Sequence, residues 1–173
     1  IVWLLLPKSE GEQSMKDTIP VARVPFLSFF NSKDALVFIA IRFMLDPVVY
    51  FLMFWVPKYL SQERSVSFER IGELFWIPFL ALGLSNIVGG WFSDRLIANG
   101  FSVNKARKTV MGIAAVLTTS MFFITTVSTA ELAVALMAVF MFAHGFWITN
   151  YITSISDIFG DKGTATVVGL SGT

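Results

Sequence analysis

The sequence predicts an all-α membrane protein that crosses the bilayer several times. Of its 173 residues, 55% are hydrophobic and only 14% are charged, whereas soluble domains usually carry about 25% charged residues. The charged residues gather between long apolar runs instead of spreading over surface faces. Each complete run has the roughly 20 residues that an α-helix needs to cross about 30 Å of hydrocarbon.

These apolar runs define the predicted elements in chain order. Residues 1–34 are expected to hold the end of a helix and then a polar loop. The complete spans are predicted at residues 35–56, 71–92, 109–127 and 132–154, with a partial span at 164–173. Pro57 is expected to end the first span, and Thr164 to cap the last one. Because the chain begins and stops inside apolar runs, we expect it to be a piece of a longer protein.

Lysine and arginine predict which loops face the cytoplasm. The loops at residues 7–34, 94–108 and 156–163 carry nine basic residues, whereas those at 58–70 and 128–131 carry three. Short basic loops stay inside the cell, so the first set is predicted to be cytoplasmic.

Composition also excludes several kinds of site. The net charge of +1 gives no indication of nucleic-acid binding. The chain has no cysteine and one histidine, so we expect no disulfide, no metal site and no cofactor.

The first span contains two opposite charges inside an otherwise apolar helix. Arg42 and Asp46 are four residues apart and share one helical face, with Asp46 near the middle of the bilayer. A charge at that depth costs about 2.5–3.5 kcal/mol on insertion scales, so such residues face a bundle interior or an aqueous cavity. Pro47 frees the carbonyl of Phe43 beside the pair. The pair is therefore either a structural lock or an anion-binding or coupling site, since the arginine fork suits a carboxylate.

The fourth span carries a polar and aromatic cluster. His144, Trp147, Tyr151 and Ser154 fall on one helical stripe, and Asn150 lies at its edge. Flat amphipathic rings beside an amide that both donates and accepts suit a polar, hydroxylated ligand. His144 either accepts a proton or hydrogen-bonds a neighbouring helix.

Small residues follow one face of the second span. Ala81, Ser85, Gly89 and Ser93 recur every four residues, a pattern that lets two membrane helices approach closely. The stripe is either ordinary packing or a sliding contact for a moving helix. Asn86, in the same span, either lines a cavity or bonds another helix.

Three stretches carry a resemblance to a known family. Residues 90–95 fit the G-x-x-x-D-R core of the cytoplasmic signature loop of the major facilitator superfamily, and residues 107–108 fit its closing basic pair. With Gly100 and Ser102 inside it, the loop resembles the second copy found in the anion:cation symporter family, which includes bacterial hexuronate transporters. Residues 42–59 resemble that family's helix 7, and residues 144–169 resemble helix 10 and the entry to helix 11. Gly160 stands where the family often has proline.

The resemblance implies the C-terminal half of a major facilitator fold. Residues 1–34 would be the end of helix 6 and the central cytoplasmic loop, and residues 35–173 the half-domain with helices 7–10 and the start of helix 11. The implied function is secondary active transport of a small organic anion, such as a hexuronate or related sugar acid, with protons and by alternating access, in the inner or plasma membrane. No enzymatic activity is implied.

The resemblance also implies roles for particular residues. The expected ligand contacts are Arg42, Asp46, His144, Trp147 and Asn150. The expected cytoplasmic latch, against an N-terminal half that lies outside this chain, is formed by Gly90, Asp94, Arg95, Arg107 and Lys108. The proton-binding carboxylates would lie in that other half.

Two further functions remain open on the sequence. One is a facilitator-type exporter of apolar compounds, which would tolerate loss of Arg42. The other is a non-transporting membrane sensor or an inactive truncated product.

Overall fold

Four helices make up the described part of the protein. The computed structural model describes residues 32–172, without the side chains of residues 161 and 162. The helices are α1 (Lys33–Glu63), α2 (Phe68–Ala98), α3 (Val103–Thr118) and α4 (Ala130–Ser171), with a 3₁₀ segment at Thr119–Phe123. The predicted all-α class is confirmed. The helix end and most of the loop predicted in residues 1–34 lie outside the described residues.

A hydroxyl side chain caps the start of every one of these helices. The side chains of Ser32, Ser67, Ser102 and Thr129 each accept a hydrogen bond from the backbone N–H three residues later, at 3.2–3.4 Å. Each bond satisfies one N–H that would otherwise have no partner in the first turn. Helix starts are therefore encoded locally.

The first two helices are longer than the predicted spans. α1 runs through Pro57 to Glu63, and α2 continues to Ala98, because membrane helices tolerate proline where neighbouring groups satisfy the backbone. The predicted cytoplasmic loop at 94–108 is correspondingly short, since α3 already begins at Val103. Gly100, with φ of 89°, turns the chain within the remaining four residues.

The third predicted span is α-helical only as far as Thr118. In the described residues, three helices are long and apolar enough to cross a membrane, at Lys33–Glu63, Phe68–Ala98 and Ala130–Gly160. The 16-residue α3 is not among them and continues as the tighter 3₁₀ segment. The hydroxyl groups of Thr118 and Thr119 donate to the carbonyls of Ala114 and Val116, at 2.9 and 2.7 Å, as side chains that compete with helical bonding do.

The predicted loop at 156–163 is a reversal centred on one residue. Gly160 has φ of 62° and ψ of −174°, inside what is otherwise continuous helix. In a straight helix Val167 would lie about 24 Å from Tyr151, yet the two share a packed cluster with Ala35 of α1. The chain therefore folds back at Gly160. Thr164 does not cap a new helix but donates to the carbonyl of Gly160 at 2.6 Å.

α4 forms the centre of the bundle and packs against each of the other helices. Its contact with α2 is the closest, because the predicted small-residue stripe lies there. Ser85, Gly89 and Ser93 are buried, and a Cβ added to Gly89 would lie 3.2 Å from the backbone of Phe146. The stripe is thus a packing surface in this conformation, and whether it also slides stays a prediction. Large apolar side chains cover the outer faces of α1 and α2, as lipid contact requires.

Candidate functional site

The charged pair of α1 forms as the spacing predicts. The Nε atom of Arg42 lies 2.8 Å from Oδ2 of Asp46, and the two side chains are 20% and 22% exposed. The Nη1 atom of Arg42 also donates to the hydroxyl of Ser171 at 3.4 Å. A Cβ on Gly172 would lie 3.3 Å from the guanidinium carbon. The fold-back of α4 therefore places its last turn against Arg42, and the guanidinium stays partly accessible.

The aromatic stripe of α4 faces α1 at the same level. The rings of His144 and Trp147 are 6.0 Å apart, and those of Trp147 and Tyr151 are 4.8 Å apart. The hydroxyl of Tyr151 donates to the carbonyl of Phe38 at 2.9 Å, one helical turn before Arg42. His144 lies near enough to Arg42 and Asp46 to interact electrostatically with both. Two helices thus bring four of the five predicted ligand contacts together.

A cavity of about 260 Å³ opens beside this group. His144 and Trp147 form one wall, and the remaining walls come from α1, α3 and α4 and are mainly apolar. The cavity itself presents an imidazole and a flat aromatic face, whereas the cation and carboxylate of the Arg42–Asp46 pair lie outside its lining. Such a set can bind an anion with hydroxyl groups through charge and hydrogen bonds while its carbon skeleton rests on a ring.

The fifth predicted contact, Asn150, lies elsewhere. Its side chain is 0% exposed. The Nδ2 atom donates to the carbonyls of Gly89 and Phe146, at 3.1 Å each, and Oδ1 accepts from Nη1 of Arg107 at 3.4 Å. Asn150 therefore joins three helices and, in this conformation, has no surface that a ligand can touch.

Arg107 is the centre of a second polar group, at the predicted cytoplasmic end. Its side chain is 11% exposed, and its guanidinium lies 3.3 Å from Asp157 and 3.9 Å from Asp94. Nη1 also donates to the hydroxyl of Ser93 at 2.7 Å. We call Ser93, Asp94, Arg107, Asn150 and Asp157 the Arg107 network. Each of these contacts of Arg107 is made within the described part of the chain.

The other predicted latch residues remain on the surface. Arg95 and Lys108 are exposed, and the Asp94 side chain is 75% exposed. Gly90 is half-buried, with the methyl of Thr149 3.8 Å from where its Cβ would be. These residues are accessible to a partner helix.

The polar roles of Ser93, Asp157 and Thr149 did not follow from the sequence. Ser93 was read only as a small packing residue, and Asp157 only as part of a resemblance, although Asp157 follows Asn150 by seven residues and shares its helical face. Thr149 donates to Oδ1 of Asn86 at 2.9 Å, so Asn86 does bond another helix. Within the described residues, no group of three or more histidine, aspartate or glutamate side chains is placed to hold a metal.

Comparison with known proteins gives the family. The sequence matches the profile described as Major Facilitator Superfamily over residues 1–173. No solved structure matches it at a significant level.

Several curated relatives are transporters of sugar acids or other anions. The D-galactonate transporter of Escherichia coli O6:H1 is 30% identical over 105 residues, which cover 61% of this chain and 24% of that protein. A probable galactarate/D-glucarate transporter of Escherichia coli K12 is 29% identical over 131 residues, 76% of this chain and 28% of that protein. A probable chloroplastic anion transporter of Oryza sativa subsp. japonica is 26% identical over 165 residues, 94% of this chain and 27% of that protein.

The chain spans about a quarter of the length of these relatives. Its match to the superfamily profile nevertheless extends over every residue, and its three long apolar helices fit an integral, multi-pass membrane protein. This chain belongs to the major facilitator superfamily and resembles its sugar-acid transporters.

Proposed function

We propose that this chain is the C-terminal half of a secondary transporter that moves a small sugar acid, a hexuronate or a related aldonate or aldarate, together with protons. The proposal rests chiefly on the Arg42–Asp46 pair, which is partly exposed between α1 and α4. Charges at this depth are costly and mark ligand or ion pathways. The named relatives act on galactonate, galactarate or glucarate, which combine carboxylate and hydroxyl groups as this site requires. The protein is a carrier and not an enzyme.

In this proposal, Arg42 binds the carboxylate of the substrate. Asp46 holds Nε of Arg42 at 2.8 Å and so orients the Nη groups, of which Nη1 donates to the hydroxyl of Ser171 at 3.4 Å. A planar guanidinium can bind two carboxylates through different edges. The ring of Trp147 supports the carbon skeleton, and His144 bonds a hydroxyl group.

Alternating access requires a cytoplasmic closure, which we assign to the signature loop. Basic residues place this end of the bundle in the cytoplasm. Asp94, Arg95 and Lys108 are exposed there and would contact the N-terminal half when the cytoplasmic side closes. Arg107 holds α2, α3 and α4 together from within.

Uptake into membrane vesicles tests the proposal. Cells would express the complete coding sequence, and uptake of labelled galactonate and glucuronate would be followed with and without a proton gradient. Arg42→Ala should lower uptake by about ten- to a hundredfold, because a buried charge-assisted bond is worth about 1.5–3 kcal/mol. Arg42→Lys should keep a part of the activity, since lysine preserves the charge but not the fork.

Arg70→Ala is the matched control. Arg70 is also an α-helical arginine paired with carboxylates, at 2.9 Å to Glu73 and Glu131, but its pairs are exposed. Its loss should leave uptake near that of the parent protein. If Arg42→Ala took up substrate as fast as the parent protein, Arg42 would not be part of the substrate site. If uptake were the same with and without the proton gradient, protons would not be co-transported.

The mainly apolar walls of the 260 Å³ cavity favour a second candidate function, export of an apolar compound. An exporter of this kind should keep its activity in Arg42→Ala. Resistance of expressing cells to apolar toxic compounds, unchanged in Arg42→Ala and accompanied by no sugar-acid uptake, would select this function instead.

A further inference from the structure

Asn150 lies beside one of the close contacts between α2 and α4. Gly89 has no room for a side chain, because a Cβ would be 3.2 Å from the Cα and carbonyl oxygen of Phe146. The Nδ2 atom of Asn150 donates to the carbonyls of these same two residues, at 3.1 Å each. One amide therefore joins the two helices at this contact.

The other end of the same amide touches the cytoplasmic Arg107 network. Oδ1 of Asn150 accepts from Nη1 of Arg107, and that same nitrogen donates to Ser93. Arg107 also contacts Asp157 and Asp94 through its guanidinium. Any movement of Arg107 relative to α4 must therefore lengthen or shorten the bond to Asn150.

Asn150 also lies next to the helical turn that carries part of the candidate substrate site. The carbonyl of Phe146 belongs to the peptide bond that leads into Trp147, and Trp147 contacts the rings of His144 and Tyr151. A continuous set of contacts thus runs from Arg107 through Asn150 to the helical turn that carries Trp147. Physically connected groups of this kind can couple two sites if both bias the same arrangement.

We propose that Asn150 is a positioning residue that couples the Arg107 network to the Trp147 turn, rather than a ligand contact. The inference rests on the proposed transport function. When the cytoplasmic side opens, Arg107 shifts and its hydrogen bond to Oδ1 of Asn150 is lost. The packing of α2 against α4 then loosens beside Trp147. Closure restores the hydrogen bond between Arg107 and Asn150 and, with it, the position of the helical turn that carries Trp147.

Asn150→Leu tests the coupling in the complete transporter. Leucine has a similar size and removes all three amide bonds, while the carbonyls of Gly89 and Phe146 keep their helical partners. We expect the maximal uptake rate to fall about tenfold, a typical size for a coupling effect, with the half-saturating concentration of galactonate within about twofold. Thr153→Val is the matched control, since the hydroxyl of Thr153 donates to the carbonyl of Thr149 in its own helix, at 2.7 Å.

A second readout needs no substrate. Ser154 lines a second cavity, which also contacts Arg107 and Asp157 at the predicted cytoplasmic end of the bundle. The chain has no cysteine. With any cysteines elsewhere in the transporter replaced, Ser154→Cys reports cytoplasmic opening through its reaction with a membrane-impermeant maleimide. Asn150→Leu should speed this labelling severalfold, and Thr153→Val should not. Ser93→Ala removes one hydrogen bond to Arg107 but keeps Asn150, and it should also speed the labelling. It replaces Asn150→Leu in the test if that variant does not fold.

Two results would overturn the inference. A raised half-saturating concentration with unchanged labelling would make Asn150 a ligand contact, as its sequence position first indicated. Labelling and kinetics like those of Thr153→Val, in both Asn150→Leu and Ser93→Ala, would leave Asn150 without a coupling role. A parent protein that takes up no sugar acid would defeat the proposed function, but the labelling would still decide whether Asn150 controls cytoplasmic opening.

Discussion

Gly145 is the position at which one added methyl group should disturb the protein most. It lies in α4 against α2, where a Cβ would overlap the hydroxyl of Ser85 and lie 2.7 Å from the carbonyl oxygen of Leu82. A side-chain carbon, unlike a hydrogen-bonding hydroxyl, does not approach a backbone oxygen this closely, so the two helices must separate in Gly145→Ala. The hydroxyl of Ser85 is itself fixed by a 2.7 Å bond to Leu82 and cannot simply rotate away.

The expected cost follows from two opposing terms. Overpacking a well-filled interface costs about 1–3 kcal/mol, and a clash with backbone belongs at the upper end. Alanine in place of glycine in a helix returns about 1 kcal/mol. Gly145→Ala should therefore destabilise the protein by about 2 kcal/mol or more. Ser85→Ala in the same chain should recover part of this loss, because it removes the hydroxyl but leaves the Leu82 carbonyl in place.

The assay is the unfolding of the detergent-solubilised, complete transporter, followed by temperature or denaturant. Gly112→Ala is the control, since nothing lies within 4 Å of a Cβ at that helical position. This variant should be as stable as the parent or slightly more stable. If Gly145→Ala unfolded at the same temperature or denaturant concentration as Gly112→Ala, α2 and α4 would not be in the close contact described above.

Three further predictions concern other parts of the fold. Arg64→Ala should lower the free energy of unfolding by about 1–2 kcal/mol in the same assay, because Arg64 donates to the carbonyls of Thr125, Val127 and Ser128 at 2.7–3.1 Å. Parental stability in Arg64→Lys would show that the planar guanidinium is not needed for these bonds. Gly160→Ala should cost about 1–3 kcal/mol, since φ of 62° with ψ of −174° is a conformation that alanine avoids, and a variant of parental stability would contradict the fold-back. Glu131→Gln should leave the unfolding temperature unchanged at both low and high salt, because the side chains of Arg70 and Glu131 are 48% and 56% exposed, and a clear loss at low salt would show that this pair does stabilise the fold.

The sequence predicted well the features that depend on neighbours along the chain. The Arg42–Asp46 pair follows from an i, i+4 spacing and forms at 2.8 Å. The stripe of His144, Trp147 and Tyr151 follows from helical periodicity and gives a continuous row of rings. The membrane class follows from the length of apolar runs. The pair and the stripe depend on interactions within one or two helical turns, and the membrane class depends on the composition of single continuous runs.

Connections were predicted less well, because single residues decide them. The loops at 94–108 and 156–163 were read from polarity, yet polar residues continue a helix without difficulty when it extends beyond the hydrocarbon. Gly100 and Gly160 make the turns through positive φ values, which composition does not reveal.

The roles of Asn150 and Arg107 were decided only by the tertiary structure. Asn150 lies one residue from Thr149 and Tyr151, and each step along a helix rotates the side chain by about 100°, so neighbouring positions face different helices. Periodicity places Asn150 at the edge of the aromatic stripe, but only the packing of α2 and α3 around α4 turns that edge into a buried joint. The partners of Arg107 come from 14, 43 and 50 residues away in the chain. No local pattern specifies such contacts, because they exist only once three helices have packed together.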